Sequence, residues 1–470
     1  MNKKSYELIK NTIIIFLGKA SSQFLSFLLL PLYTKYLETG DYGIVDLINT
    51  YVVLLVPVIT LQFEMAIFRF LVDNRDNEDR KKEIISSVFS IIFMIIAILI
   101  VIYLILISIV SFKYSGLITL VIISHILLSI SLQTSRGLGN NIKYSIGCCI
   151  NGITTVFLNI FFIIVKNMGA EGMLLSIIIA NFVTFIYLNL SMRIYKYFNL
   201  KKFKKSLTKN MLKYSIPLIP NGISWWIVYA SDRTIISGFL GVAANGIYAV
   251  SNKFSSIFIG VFNVFLLSWT ESTSLHINDT DRDKFFSNTM NNVFKLFAVF
   301  CMIIITAIPL VFNVFIDSKY IEAYYYIPIL MVAMLFNIIG GLNSGIYIAK
   351  KKTKQIMNTS LISAIINILI NVLLIRRIGL YAAAISTLIA YAIMAIYRSL
   401  DLKKYINIKW NKKEIVKISV ILILISIIYY INNIYLNIIG LVFVLIYSIK
   451  VYKTYIIKVY YKIKSAYMEK

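Results

Sequence analysis

The stretch IISSVFSIIFMIIAILIVIYLILISIV, residues 84–110, decides the fold class, because it contains no charged side chain over its whole length. A helix of about 20 apolar residues is long enough to cross the hydrocarbon core of a bilayer. Apolar runs of similar length recur on both sides of this stretch, separated by short polar segments. The whole chain is 59% hydrophobic and 14% charged, whereas soluble domains carry about 25% charged residues. We therefore predict an all-α, polytopic membrane protein.

The length of each apolar run predicts about fourteen transmembrane helices. The first six run over roughly 11–33, 43–66, 84–110, 115–136, 144–165 and 171–192. The next six run over roughly 214–238, 245–269, 289–316, 321–347, 355–375 and 379–399. A final pair lies near 414–431 and 433–450.

An internal repeat divides these helices into two halves. Leu37 and Gly43 bound a polar turn in the first half, and Leu240 and Gly246 bound a matching turn in the second. A second match pairs Gly169, Ser176 and Ala180 with Gly379, Ser386 and Ala390 at one constant separation. Parallel repeats related by an axis along the membrane normal are a known transporter plan, although coincidence between apolar sequences is the competing explanation. We predict two pseudo-symmetric six-helix bundles, 1–193 and 214–400, a basic linker at 194–213, and two extra helices with a basic tail at 401–470.

Basic residues indicate the orientation of the chain. The net charge is +26, but the Lys and Arg residues lie at the ends of apolar runs, so membrane topology explains them better than nucleic acid does. The segment 193–213 has eight basic residues and no acidic one. Placing such segments inside predicts that both termini are cytoplasmic. The heavy use of Ile, Asn and Lys fits an AT-rich bacterial genome, so we expect the bacterial cytoplasmic membrane.

Three cations lie inside predicted spans, namely Lys19, Arg233 and Lys253. A Lys or Arg at the centre of a membrane helix costs about 2.5–3.5 kcal/mol on insertion scales and normally faces a water-filled cavity. Such residues mark substrate pathways more often than they stabilise a bundle. We therefore predict a cationic cavity that binds an anionic substrate.

Polar side chains on the helices that carry these cations form stripes at helical spacing. Spans 1, 2, 7 and 8 occupy equivalent positions in the two halves, so we expect them to line one central polar cavity. Hydrogen bonding between helices by small polar residues is the alternative for the neutral members. The predicted lining residues, besides the cations, are Gln23, Asp46, Asn49, Glu64, Trp225, Tyr229, Asp232 and Asn252.

Sequence signals for catalysis and cofactors are absent. The chain has no GxxxxGK[ST], HExxH or GxSxG motif, and its three cysteines have no metal-ligand spacing. We predict no catalytic residue, no metal site and no cofactor. Transport would then depend on an ion gradient or on consumption of the product. Proton or sodium coupling would use His125, Asp46, Glu64 or Asp232, all of which lie within predicted spans.

Several motifs resemble those of bacterial polysaccharide flippases of the Wzx type, in the multidrug/oligosaccharidyl-lipid/polysaccharide exporter (MOP) superfamily. The resemblance covers nearly the whole chain. The motifs that carry it are Pro31, Tyr36-Leu37, Tyr42-Gly43-Ile44, Ala66-Ile67-Phe68-Arg69-Phe70, Tyr214-Ser215-Ile216-Pro217-Leu218, Ser231-Asp232-Arg233 and Gly246-Ile247-Tyr248 with Lys253.

The resemblance implies alternating access and a substrate of undecaprenyl-diphosphate-linked oligosaccharide, as used for O-antigen or capsule. It implies that Arg233 and Lys253 pair with the diphosphate, whereas Lys19 fits this role by its chemistry. A polysaccharide polymerase and a chain-length regulator are the candidate protein partners.

Two rival functions are weaker. A drug antiporter of the same superfamily would need acidic residues near the membrane centre, but the deep charges here are positive. A membrane polysaccharide polymerase would carry a large outer loop with paired arginines. The predicted outer loops are short, and only Arg376 and Arg377 resemble such a pair. The flippase is therefore the preferred prediction.

Overall fold

The structure is a computed structural model that describes residues 18, 25, 27–107 and 113–468, without the side chains at 221, 224, 225, 228, 229 and 454–468. Every regular element within these residues is helical. Contacts between Cα atoms divide the chain into two compact units, 1–249 and 250–470. The predicted domain boundaries at the basic linker remain a prediction.

The first unit is a bundle of helices built around α7. Both α5 and α6 pack on α7, and α9 packs on α2. A π-helical segment, Ile160–Val165, extends α6. The helices are α1 Leu30–Tyr36, α2 Thr39–Ile59, α3 Phe63–Asp73, α4 Glu78–Ile107, α5 Ser115–Gly137, α6 Asn141–Asn159, α7 Gly169–Ser191, α8 Lys205–Ser215, α9 Ile219–Leu240 and the first turns of α10, Val242–Leu275.

The second unit continues α10 and adds six helices. Its centre is α14, which packs on α12 and α13, while α15 and α16 pack on α11. The helices are α11 Arg282–Phe315, α12 Ala323–Ala349, α13 Thr353–Ile378, α14 Leu380–Leu402, α15 Lys412–Ile431 and α16 Ile434–Met468.

Twelve helical segments of the described residues are long and apolar enough to cross a membrane. Helix α9, with 22 residues, coincides with the predicted seventh span. It is not one of the twelve segments, because its polar side chains lower its mean hydropathy. Most of the predicted first span, 11–33, lies outside the described residues. The prediction of an all-α, polytopic membrane protein with about fourteen spans is confirmed.

The predicted second span, 43–66, was wrong in one respect, because the helix ends at Ile59 and a new helix, α3, begins at Phe63. Leu61 and Gln62 adopt left-handed conformations with φ of 53° and 58°. The amide of Gln62 donates to Pro57 O and that of Leu61 to Val58 O, which is the pattern of a Schellman helix end. Glycine normally occupies this position, so the sequence carried no signal for the break.

In the first unit, the basic segment after α7 lies against the start of α4. The amides of Asn199 and Lys204 donate to the hydroxyls of Ser86 and Ser87, and Ser86 donates to the carbonyl of Tyr197. The ammonium of Lys204 also pairs with Glu83 at 2.5 Å. The segment is therefore attached to α4 mainly through its backbone.

The second unit attaches its corresponding segment in the same way. The amides of Asn407, Lys409 and Asn411 donate to Asp283, Ser287 and Asn291 at the start of α11. In the predicted repeat α4 and α11 are the corresponding helices, and the repeat itself stays a prediction.

Candidate functional site

The first feature of the candidate site is a backbone contact between the starts of α2 and α10. An ideal Cβ atom on Gly43 would lie 2.0 Å from the carbonyl oxygen of Val242, and one on Gly246 would lie 2.0 Å from that of Thr39. Real Cβ atoms do not approach so closely, so only glycine fits at both positions. The two glycines of the predicted repeat thus meet each other.

Next to this contact, the carboxylate of Asp46 on α2 accepts hydrogen bonds from two other helices. Nε of Arg233 on α9 donates to Oδ2 at 2.8 Å, and Nδ2 of Asn245 on α10 approaches the same oxygen at 3.4 Å. Asn245 also donates to Gly43 O at 3.0 Å and is fully buried. The side chains of Arg233 and Asp46 are only 16% and 17% exposed.

The neighbouring residue Asp232 uses a different partner. Its Oδ2 accepts a hydrogen bond from the hydroxyl of Tyr248 on α10 at 3.1 Å. Adjacent helical residues point in different directions, so Asp232 and Arg233 engage separate helices. Two carboxylates and one guanidinium therefore lie together where α2, α9 and α10 meet.

A cavity of about 400 Å³ lies between α2 and α9, within the size range of ligand sites. It begins about one turn from the ion pair, because Thr50 follows Asp46 and Ala230 precedes Arg233 at helical spacing. Trp226 borders it and donates from its indole to Thr50 O at 2.7 Å. The other lining residues are Val53, Leu54, Pro57, Val58, Gln62, Ile219, Gly222 and Ile223.

The structure describes only some of the remaining predicted site residues of the first unit. Lys19 and Gln23 lie outside the described residues, and the side chains of Trp225 and Tyr229 are not described. Asn49 is half-buried on α2, one turn from Asp46. The two residues that remain, Glu64 and His125, form hydrogen bonds with Thr60 and Asn181.

Glu64 lies at the break between α2 and α3, where its carboxylate accepts a hydrogen bond from Thr60 at 2.7 Å. The stripe expected to run from Asp46 to Glu64 is interrupted there. His125 on α5 lies 3.1 Å from the amide of Asn181 on α7, which also bonds Ser124 and Asn151. Polar contacts of this kind hold α5, α6 and α7 together.

In the second unit, Asn252 and Lys253 are half-buried on α10. Within the described residues, no group of three or more His, Cys, Asp or Glu side chains is arranged to hold a metal ion.

Sequence reasoning missed Asn245 and Tyr248, both of which supply hydrogen bonds to the site carboxylates. Asn245 directly precedes the repeated glycine and Tyr248 lies within the Gly-Ile-Tyr motif, so their place beside the repeat was the available signal. It also missed Arg398 at the end of α14, which is 2% exposed. Its guanidinium donates to five oxygens on α12 and α13, those of Gly340, Ser344, Ile356, Thr359 and Ser360.

The second unit also contains an apolar groove of about 660 Å³ formed by α11, α12, α14 and α15. Its lining includes Phe294 and Trp410 towards one end and Tyr430 at the other. Aliphatic side chains form most of the wall between them, namely Val332, Leu335, Ile339, Ile396, Leu400, Ile415, Ile418, Leu422, Ile423 and Ile427.

These features define a polytopic membrane protein with a partly buried ion pair beside a cavity. The family described as "Polysaccharide biosynthesis protein" matches residues 8–269, and the chain belongs to that family. This confirms the family resemblance of the motifs. A comparison with curated protein sequences finds no match.

Several solved structures share the fold. The lipid II flippase MurJ, in an inward closed conformation, has a TM-score of 0.69 and 17% identity over 95% of this chain and 100% of that chain. A MATE protein in complex with MaL6 has a TM-score of 0.60 and 11% identity, covering 84% and 96% of the two chains. A MOP superfamily transporter from Pyrococcus furiosus Vc1 has a TM-score of 0.59 and 12% identity, covering 84% and 94%. At these identities the matches show the fold.

Proposed function

We propose that the chain is a flippase that moves undecaprenyl-diphosphate-linked oligosaccharide from the cytoplasmic to the outer leaflet of the bacterial cytoplasmic membrane by alternating access. The product serves O-antigen, capsule or a related polysaccharide. Membership of a polysaccharide biosynthesis family supports the substrate class, and the likeness to MOP transporters supports the mechanism.

The observation that carries this proposal is the guanidinium of Arg233, held inside the membrane-spanning region beside a cavity. A guanidinium has a planar fork of donors that matches phosphate oxygens. An interior site strengthens the attraction, because the surrounding dielectric constant is low. Lys253 and Lys19 remain the further cations that the sequence predicts for the diphosphate. Aromatic residues of α9, Trp225 and Tyr229, are candidates for packing against sugar rings.

The apolar groove of the second unit suits a long hydrocarbon chain. A prenyl chain has no hydrogen-bonding group, so an aliphatic wall is enough to hold it. Ordinary lipid tails meet this requirement as well, so the groove supports a lipid substrate without identifying it.

Arg233→Ala and Lys253→Ala should each abolish surface glycan while leaving the protein folded and inserted in the membrane. Arg233→Lys should keep part of the activity, because an ammonium still attracts phosphate but lacks the bidentate geometry. Arg377→Ala is the matched control, since this exposed arginine lies at the end of α13. Normal glycan display in both alanine variants of the deep cations would contradict the proposal.

The coupling of transport is tested with purified protein in vesicles that contain labelled lipid-linked oligosaccharide. Movement of the label is measured with and without a proton or sodium gradient, in the native chain and in variants of His125, Asp46, Glu64 and Asp232. Movement that needs neither gradient indicates a downhill process, pulled by a polymerase that consumes the product outside. A chain that moves cationic drugs and no lipid-linked oligosaccharide is an antiporter instead.

A further inference from the structure

The carboxylate of Asp46 ties one helix to two others. It receives Arg233 from α9 at 2.8 Å and Asn245 from α10 at 3.4 Å. Asn245 also donates a hydrogen bond to the Gly43 carbonyl. One anionic group therefore maintains the meeting point of α2, α9 and α10.

The carboxylate of Asp46 offers Arg233 anionic oxygen acceptors, as a phosphate group does. Carboxylate and phosphate are the two anions that a guanidinium recognises with charge-assisted hydrogen bonds. Leaving a guanidinium without an anion or other hydrogen-bond acceptors in a low-dielectric interior costs several kcal/mol. An arginine that serves a passing anionic ligand therefore needs resident acceptors while the ligand is absent, and a carboxylate is the side chain that resembles the ligand.

We propose that Asp46 is a positioning residue that occupies the phosphate position at Arg233, and that the substrate diphosphate displaces it. This inference rests on the proposed function, because it takes the diphosphate as the ligand of Arg233. After displacement, the carboxylate keeps Asn245 as a donor. The arginine exchanges one anion for another and is never left unpaired.

The exchange also links ligand binding to the position of α2. A ligand shifts a conformational equilibrium only by its different affinities for the two states. The diphosphate binds Arg233 only when the pair with Asp46 is open, so binding favours the state in which α2 is released from α9. Asp46 thereby makes release of this helix depend on the anionic headgroup.

The first test measures binding of undecaprenyl diphosphate to the full chain in lipid nanodiscs. Asp46→Asn removes the competing charge and should tighten binding about tenfold, if the pair is closed in roughly nine of ten molecules. Asp46→Glu should bind as the native chain does, because a carboxylate remains. The control is Asp41→Asn, also on α2, where the carboxylate lies close to Gly169.

A merely structural ion pair gives a different result. In that case Asp46→Asn leaves Arg233 misplaced, so binding weakens or stays unchanged. Combining Asp46→Asn with Arg233→Ala should abolish the gain in affinity, because both effects act through one guanidinium.

The second test measures the separation of α2 and α9 with spin labels. Gly40→Cys and Gly238→Cys place the labels where an added Cβ meets no atom within 4 Å, after the three native cysteines are replaced by alanine. In the labelled chain that keeps Asp46, undecaprenyl diphosphate should lengthen the distance between the two labels. In the labelled chain with Asp46→Asn, this distance should already be longer without ligand. If the native chain binds the probe through Arg233 but Asp46→Asn binds no tighter, the inference fails and the proposed function stands. If neither binds the probe, both are overturned.

Discussion

Two arginines of this chain show how differently the same side chain is held inside a membrane protein. Arg233 has a carboxylate partner and retains some exposure. Arg398 is almost completely buried, and it donates hydrogen bonds to five carbonyl and hydroxyl oxygens of α12 and α13. The first arrangement suits exchange of one anion for another, whereas the second suits a permanent connection between helices.

Replacing Arg398 should therefore destabilise the second unit. Arg398→Ala leaves several buried acceptors without a donor, and hydrogen bonds to charged groups contribute about 1.5–3 kcal/mol each. We expect a loss of at least about 3 kcal/mol, seen as a lower thermal unfolding midpoint in detergent. Arg398→Lys should recover part of the loss, because one ammonium reaches fewer of these oxygens. Lys403→Ala, at an exposed position after α14, should leave the midpoint unchanged, and an equal loss there would refute the assignment.

At this scale the sequence predicted which groups are unusual but not which groups meet. The position of Arg233 within an apolar run identified it, since its insertion cost is a local property. Its pairing with Asp46 depends on the packing of α2 against α9, which single-sequence periodicity does not specify. Arg398 was missed because a cation near the end of a span is normally an anchor.

Among the elements, the crossing of α2 and α10 makes the sharpest prediction. Gly43→Ala or Gly246→Ala forces a Cβ to 2.0 Å from a backbone carbonyl, so the helices must separate. Overpacking of this kind costs about 1–3 kcal/mol, and the thermal midpoint of either variant should fall. Gly238→Ala is the matched control, because its Cβ meets nothing within 4 Å. A fall of the same size in the control would show that glycine replacement itself, and not the crossing, is responsible.

The helix boundaries show where the prediction of helices from the sequence succeeds and where it fails. Predicted spans such as 84–110 and 355–375 correspond to α4 and α13, because long apolar runs leave little choice of structure. The break after Ile59 depends on left-handed Leu61 and Gln62, residues that rarely adopt this conformation. The predicted repeat drew attention to Gly43 and Gly246, but their mutual contact arises only when the helices pack.

For the whole molecule, the predicted orientation is tested by labelling from outside. Segments rich in Lys and Arg, such as 193–213, are predicted to lie on the cytoplasmic side of the membrane. A membrane-impermeant thiol reagent should modify Ala243→Cys in intact cells but not Ser206→Cys, and both positions are exposed. Ser206→Cys should react once the cells are opened, which serves as the control. Modification of Ser206→Cys in intact cells would contradict the predicted topology and indicate the opposite orientation.

The attachment of the two basic segments carries a consequence for how this chain can diverge. Five amides, those of Asn199, Lys204, Asn407, Lys409 and Asn411, bind side chains on α4 and α11. An amide hydrogen is present in every residue except proline, so these five bonds do not depend on which side chain stands at the donor position. Selection should act instead on the receiving residues, Ser86, Ser87, Asp283, Ser287 and Asn291, and against proline at the five donor positions.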